Sequence, residues 1–428
     1  MNRRLLPFAS LAFLCAGCVH YTARPLDPAG SGRRLVDRRL AAKTWTLSAL
    51  EEEAERTHPD IALARAQYET ARAAVRTAGE RPNPTVVLTP QIFTPFTTWI
   101  EGTYGVDFDW TVETAGKRSR RLEVAHAAVR AAAVRVIETT WKVRVAVRKA
   151  MLDLYAAEER LKLVNDAIGK QGELLKTLEN RIAAGSDSSS AAIQPRLLLV
   201  QLRLQAADAA KNGALARVSM ASALGMGANG LAGAKFSFTA FAGVPEARKA
   251  DRLAAVTHRA DVLAALADYA GAEATLRLEI AKQYPDVHLN PGYQLDTGVN
   301  KWTPGITLTL PILNQNKGPI AEAEAKRKEA EEKFNAVQAT VLADCDRAIA
   351  SVRAARAKLA VTDELLATQE KQVASEQRLV AAGEGDKLSL LTAQVERATT
   401  LTSRLDALIE LQSAIGALEE ATQTRFKK

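Results

Sequence analysis

The sequence predicts a mainly helical fold with a small β part, built twice from one repeated unit. Three observations carry this prediction: a composition rich in Ala, Leu, Glu, Lys and Arg, long stretches with heptad spacing, and an internal repeat. The chain has 428 residues, of which 47% are hydrophobic and 25% charged, as in folded rather than disordered proteins. This length exceeds one compact core and fits two domains or one duplicated architecture.

The N-terminus has the pattern of a bacterial secretory signal. Two arginines precede an apolar stretch (residues 5–16), and a small residue and Cys18 follow. Because this pattern is similar to a lipobox, we expect residues 1–17 to be removed, Cys18 to be acylated and residues 18–44 to form a lipidated linker. Val19 in place of Asp favours the outer membrane over the inner one. A plain signal peptide cut nearby is the alternative.

Charge and motifs argue against nucleic-acid binding and catalysis. Removal of the signal lowers the formal net charge from +8 to +6, a mild bias that predicts no nucleic-acid partner. The segment Gly225-Met-Gly-Ala-Asn-Gly230 fits a dinucleotide-binding pattern, but it follows a predicted helix and opens no βαβ unit. The five histidines show no zinc-ligand spacing. We therefore expect no enzyme, no resident metal and no cofactor.

Two copies of one unit follow each other along the chain. Residues 60–86 align with 261–287 at an offset of 201, and residues 105–117 align with 305–317 at an offset of 200. The predicted parts are the first structural repeat (45–230), an equatorial linker (231–256) and the second structural repeat (257–428).

Each copy is expected to begin with a helix and continue into two strands. In the first copy a capping box of Ser48 and Glu51 predicts a helix that runs through Ala78, and Pro82 and Pro84 end it. The predicted strands are Thr85–Phe93 and Thr103–Val112 in copy one and Asp286–Leu295 and Pro304–Leu313 in copy two, with loops at 94–102 and 296–303.

The second strand of each copy alternates strictly between apolar and polar or small residues. The apolar positions, predicted to face lipid, are Tyr104, Val106, Phe108, Trp110, Ile306, Leu308 and Leu310. Strands of about 10 residues can cross a bilayer when tilted. A half-buried soluble sheet explains the alternation as well, but the lipoprotein signal favours a barrel. Two hairpins cannot close a barrel alone, so several chains must share one.

Heptad spacing predicts a very long helix after each strand pair. Apolar or small residues recur every seven positions from Leu122 to Val164, and no proline lies between Thr114 and Gly185. A helix of about 65 residues would extend about 100 Å. Gly185 and Gly383 are expected to form the tip turns from which a second helix returns.

The ordered set of motifs resembles the TolC-like outer-membrane efflux channel family over essentially the whole mature chain. The segments that carry the resemblance are 45–50, 58–60, 116–118, 310–314, 316–318, 181–185 and 378–383. Residues 116–118 and 314–318 are most similar to the heavy-metal, CzcC-like branch.

The resemblance implies a homotrimer whose four strands per chain form a 12-stranded β-barrel joined to an α-helical barrel through the periplasm. It implies a passive conduit that docks onto a periplasmic adaptor bound to an inner-membrane pump. In this family the tunnel often narrows at its tip, with acidic residues near the constriction, and Asp386, Glu384 and Asp187 are the matching candidates. Two alternatives stay open: a lipid-anchored periplasmic coiled-coil adaptor or scaffold, and a channel for drug or protein export rather than metal export.

Overall fold

The structure is a computed structural model that describes residues 21–92, 102–244 and 251–425. Its helices are α1 (Pro28–Val36), α2 (Leu47–Thr57), α3 (Pro59–Gly79), α4 (Lys117–Ala183), α5 (Ile193–Ala223), α6 (Arg252–His258), α7 (Ala260–Ala281), α8 (Lys317–Ala382) and α9 (Lys387–Thr422). Its strands are β1 (Thr44–Trp45), β2 (Thr85–Ile92), β3 (Gly102–Val112), β4 (Lys235–Phe236), β5 (Val287–Asp296) and β6 (Val299–Leu308). The order α3–β2–β3–α4–α5 recurs as α7–β5–β6–α8–α9, which confirms a duplicated, mainly helical fold.

The two long helices form as their sequences predict. α4 has 67 residues and α8 has 66, so each spans about 100 Å at 1.5 Å per residue. Their buried positions are mostly Ala, Val and Leu, which let neighbouring helices approach closely. Helix α4 packs against α3, α5, α7 and α9, whereas α8 packs chiefly against α7 and α9. None of the described helices is apolar over enough of its length to span a membrane.

The first helical segment differs from its prediction. Thr46, not Ser48, caps α2, and its hydroxyl accepts a hydrogen bond from the backbone N–H of Ala49 at 3.4 Å. The expected continuous helix breaks at His58, because the ring of Pro59 cannot follow a helical turn and instead begins α3. Nδ1 of His58 then accepts from the backbone N–H of Asp60 at 3.1 Å and caps the new helix.

The main core lies at mid-height, where α2, α4 and α5 meet the segment after α5. Leu50, Met151, Met220 and Phe241 are fully buried there. The short parallel pair of β1 and β4 ties residues 44–45 to residues 235–236 beside this core. The N-terminal part of the described chain is therefore anchored against the middle of the long helices.

One antiparallel sheet carries the remaining strands in the order β2-β3-β5-β6. A two-residue turn joins β5 to β6, with Thr297 at φ +47° and Gly298 at φ +86°, as in the tight hairpins where glycine is favoured. The predicted loop at 296–303 is therefore wrong, and β6 begins at Val299. It ends at Leu308, because the first residue of β5, Val287, is the last partner available to it.

Candidate functional site

The register of the sheet collects its apolar side chains on one face. Val86 lies opposite Phe108, Trp110 opposite Leu289, and Tyr293 opposite Trp302. Residues on this face are strongly exposed, with Trp110 at 58% and Trp302 at 77% of their full surface. A single chain thus presents a broad apolar surface to its surroundings.

Six of the seven residues predicted to face lipid lie in strands of this apolar face. They are Tyr104, Val106, Phe108, Trp110, Ile306 and Leu308. Leu310 is a correction, since it follows the end of β6 and lies in no strand. The sequence assigned Trp302 to a loop, whereas the two-residue turn at Thr297 and Gly298 places it in β6 on this face.

The opposite face of the sheet is polar. Nδ1 of His288 lies 3.0 Å from Oδ1 of Asp109, and Lys301 Nζ lies 2.5 Å from Oδ2 of Asp296. Asp107 lies across Gly292, where an added Cβ would clash with its Oδ1. This face therefore suits contact with water and ions.

Basic side chains join the sheet to the helices. Lys117 Nζ lies 2.7 Å from Oδ1 of Asp286, and Arg118 Nε donates to the carbonyl of Gly79 at 2.6 Å. Arg121 pairs with Glu113 and donates to the carbonyl of Glu80 at 3.0 Å. Although burial acts to raise it, the hydrogen bond from Lys117 holds the pKa of Asp286 below its ordinary value. Arg118 and Arg121 fix the end of α3 against the start of α4, and Lys117 joins the start of α4 to the residue before β5.

The tips of the two helical hairpins meet at one guanidinium group. Gly185 at φ +74° and Gly383 at φ +76° make the turns after α4 and α8. Arg181 Nε lies 2.7 Å from Oδ2 of Asp187, and Arg181 Nη1 lies 2.7 Å from Oδ2 of Asp386. One side chain therefore bridges the tip turns of both repeats.

The three acidic tip candidates have different surroundings. Asp386 caps α9 by accepting from the backbone N–H of Leu388 at 3.0 Å. That hydrogen bond and the one from Arg181 hold the pKa of Asp386 below its ordinary value. Asp187 forms an ion pair with the same Arg181 side chain that pairs with Asp386. Glu384 is exposed and has no ion pair within the part of the chain that the structure describes.

A charged cluster lines a cavity of about 510 Å³ at mid-height, between α2, α4 and α9. Arg144 contacts Glu51 at 3.0 Å and Glu55 at 3.4 Å, and Arg148 contacts Glu419 at 3.3 Å. Burial raises the pKa of Glu51 to about 7, against the lowering effect of Arg425. The sequence gave no local signal for this cluster, because its members come from three distant segments.

Comparison with known proteins identifies the family. The sequence profile described as outer membrane efflux protein matches residues 50–226 and 254–423, which is most of the chain. The chain belongs to the outer membrane efflux protein family. The matched segments cover both repeats and thus include the sheet and the helical tips.

Relatives of this outer membrane efflux protein include a curated one and several solved structures. The chain is 23% identical over 225 residues to the cobalt-zinc-cadmium resistance protein CzcC of Cupriavidus metallidurans. That alignment covers 52% of this chain and about half (53%) of the relative. CusC has a TM-score of 0.72 at 16% identity and covers 88% of this chain and 91% of its own. VceC of Vibrio cholerae has a TM-score of 0.70 at 20% identity, covering 89% and 97%. The two structures show the shared fold.

None of the relatives named here is described as an enzyme or as a periplasmic adaptor. Across residues 21–92, 102–244 and 251–425 the structure holds no cluster of three or more His, Cys, Asp or Glu side chains that could bind a metal ion. Cys18 lies outside the described residues.

Proposed function

We propose that this protein is the outer-membrane channel of a tripartite efflux system and a passive conduit across the outer membrane and periplasm. The family match over both repeats is the observation that carries the proposal. The exposed apolar face of the sheet supports a membrane location for the strands, and the long helices supply the reach of a periplasmic tunnel. The protein catalyses no reaction in this proposal.

Unequal packing of the two repeats supports assembly into a ring. Helix α4 packs against α7 and α9. In the duplicated arrangement α8 is the counterpart of α4, and α3 and α5 are the counterparts of α7 and α9. The equivalent contacts would therefore join α8 to α3 and α5. No comparable packing of α8 with α3 or α5 occurs within the described chain, so these contacts are left for a second copy. The outer edges of β2 and β6 are likewise unpaired among the described strands. Three copies would then give 12 strands.

The apolar face of the sheet would then face lipid, and the polar face would line the pore. Acylation of Cys18 would add an anchor in the outer membrane. The helical tips, at the opposite end from the sheet, would contact a periplasmic adaptor and through it an inner-membrane pump.

The acidic tip residues would form the narrow part of the tunnel. Arg181 pairs with Asp187 in its own hairpin and with Asp386 in the other, so the second ion pair would hold the two hairpins of a copy together. Three copies would place rings of carboxylates across the opening, and such rings attract cations.

Divalent metal cations are the proposed substrate class, because the curated relative is named for resistance to cobalt, zinc and cadmium. Small toxic molecules are the alternative. Deletion of the gene should lower the tolerated concentration of Zn²⁺, Co²⁺ or Cd²⁺ and leave tolerance to hydrophobic drugs unchanged. The reverse pattern would reject metal as the substrate.

The channel itself is tested by imaging the detergent-extracted full-length protein. We expect a three-fold cylinder longer than about 100 Å, the length set by the helices. A globular or monomeric particle would contradict the proposal and favour a scaffold.

A further inference from the structure

The polar face of the sheet holds an imidazole paired with a carboxylate. His288 on β5 and Asp109 on β3 both lie on this face, with Nδ1 of His288 at 3.0 and 3.3 Å from the two carboxylate oxygens. The hydroxyl of Thr111 lies 3.3 Å from the same nitrogen. All described polar contacts of the imidazole are therefore made by one of its two nitrogens.

The pairing fixes which nitrogen carries the proton. An ionised carboxylate only accepts hydrogen bonds, so Nδ1 of His288 must donate to Asp109. In the neutral imidazole the lone pair then lies on Nε2, which has no hydrogen-bond partner among the residues that the structure describes. A histidine held by a carboxylate on one nitrogen and open on the other has the arrangement of metal-binding histidines.

The pair is accessible and its surroundings are acidic. The side chain of His288 is 32% exposed and that of Asp109 is 36% exposed, so an ion in solution can reach them. Asp107 lies two residues from Asp109 on the same face and forms no ion pair within the described ranges. The cation that β6 carries on this face, Lys301, is paired with Asp296, and Lys117, near the start of β5, is paired with Asp286. A divalent cation would be attracted here.

We propose that Nε2 of His288 is a transient ligand for Zn²⁺ and similar divalent transition-metal ions, with Asp109 orienting the ring and Asp107 adding attraction. The proposal rests on the proposed function, in which this face lines the pore. One imidazole per copy, completed by water, binds weakly, and weak binding suits an ion that must leave again. Hard cations such as Mg²⁺ prefer oxygen ligands and gain little from the imidazole.

The experiment uses the full-length trimer in a planar bilayer and in calorimetry. Zn²⁺ should reduce the current, and His288→Gln should raise the half-blocking concentration by about tenfold or more. Asp109→Asn keeps an acceptor oxygen but loses the charge, and it should give a smaller rise. The matched control is His258→Gln, at the exposed end of α6, which should titrate like the wild type. Mg²⁺ should act equally on all variants.

Identical Zn²⁺ titrations of the wild type and His288→Gln would overturn the site, provided both run as trimers. A Mg²⁺ block as strong as that of Zn²⁺ would overturn it as well. Calorimetry separates this proposal from the channel function. If the wild type carries no current but binds Zn²⁺ in calorimetry, and His288→Gln removes that binding, the metal site is supported and the conduit function is rejected.

Discussion

Arg181 shows how much of the tip depends on a single side chain. The sequence predicts the turns at Gly185 and Gly383 and the capping role open to Asp386, because these signals are local. It does not predict that Asp187 and Asp386 meet at Arg181, since Asp386 lies 205 positions away. The turns and the helix cap at the tip can therefore be predicted from the sequence, whereas its ion pairs cannot, because they depend on how the two hairpins pack.

Replacing Arg181 should loosen the tip. Arg181→Ala removes both ion pairs and leaves the cap on α9 intact, so we expect the single-channel conductance in a planar bilayer to rise about twofold or more. Asp386→Asn should give part of this effect, because Asn still caps the helix. The matched control is Arg378→Ala, next to the other turn, whose side chain forms no ion pair within the described ranges. Unchanged conductance in Arg181→Ala would remove these residues from the constriction.

Glu51, in the charged cluster at mid-height, should make the stability of the fold depend on pH. Its pKa is raised from 4.5 to about 7 in the folded chain. Between these two pH values the carboxyl of Glu51 therefore stays protonated in the folded chain, whereas it is ionised in the unfolded chain. The resulting stabilisation, about 3 kcal/mol, is complete below about pH 4.5 and is lost as pH rises through about 7.

The variant Glu51→Gln should flatten this dependence. We expect the apparent Tm, followed by circular dichroism, to change less between pH 5 and pH 8 in the variant than in the wild type. Glu69→Gln is the control, because Glu69 is exposed and pairs only with exposed Arg72 in the described chain. Equal pH profiles of wild type and Glu51→Gln would contradict the raised pKa.

Helix α5 displays an apolar seam of its own. Ile193, Leu197, Val200 and Leu204 are exposed at spacings of four and three, on the side opposite the seam of Leu202, Ala209 and Ala216 that packs on α4. Heptad patterns are readable from sequence, but the helix that each seam contacts is not. Likewise, the sequence does not show where β6 ends, because the alternation of apolar and polar residues continues past Leu308 although the partner strand β5 offers no further residue.

A charge in the α5 seam should weaken assembly without unfolding the helix. Leu204→Glu would place a carboxylate where a neighbouring α8 should pack, so the trimer should dissociate at a lower detergent or denaturant concentration. Gln205→Glu adds the same charge one position away, off the seam, and should leave the trimer intact. Light scattering measures the mass and circular dichroism the helix content. A fully stable Leu204→Glu trimer would exclude this seam from the interface.

At the scale of the whole molecule, the duplication predicts the register between copies. Asp107 of β3 pairs with Gly292 of β5. Thr307 of β6 follows Asp107 at the repeat offset of 200, and Gln91 of β2 precedes Gly292 at the offset of 201. We therefore expect Thr307 of one copy to pair with Gln91 of the next.

A disulfide should form at this predicted junction. Thr307→Cys combined with Gln91→Cys should give covalent trimers on a non-reducing gel, since directly opposed residues of paired strands lie within disulfide reach. Thr307→Cys combined with Thr85→Cys is the control, with the second cysteine about 20 Å further along the strand. Cross-linking in the control but not in the test pair would reject the register.

The unpaired edges of β2 and β6 have a consequence before any pore exists. In the proposed route to the outer membrane, a single copy would carry two strand edges that are unpaired among the described strands, and a sheet face of exposed Trp, Phe, Ile and Leu, through the periplasm. Such a surface is prone to non-native strand pairing and aggregation. We therefore expect the yield of the proposed trimer to depend on periplasmic chaperones and on how quickly three copies find one another.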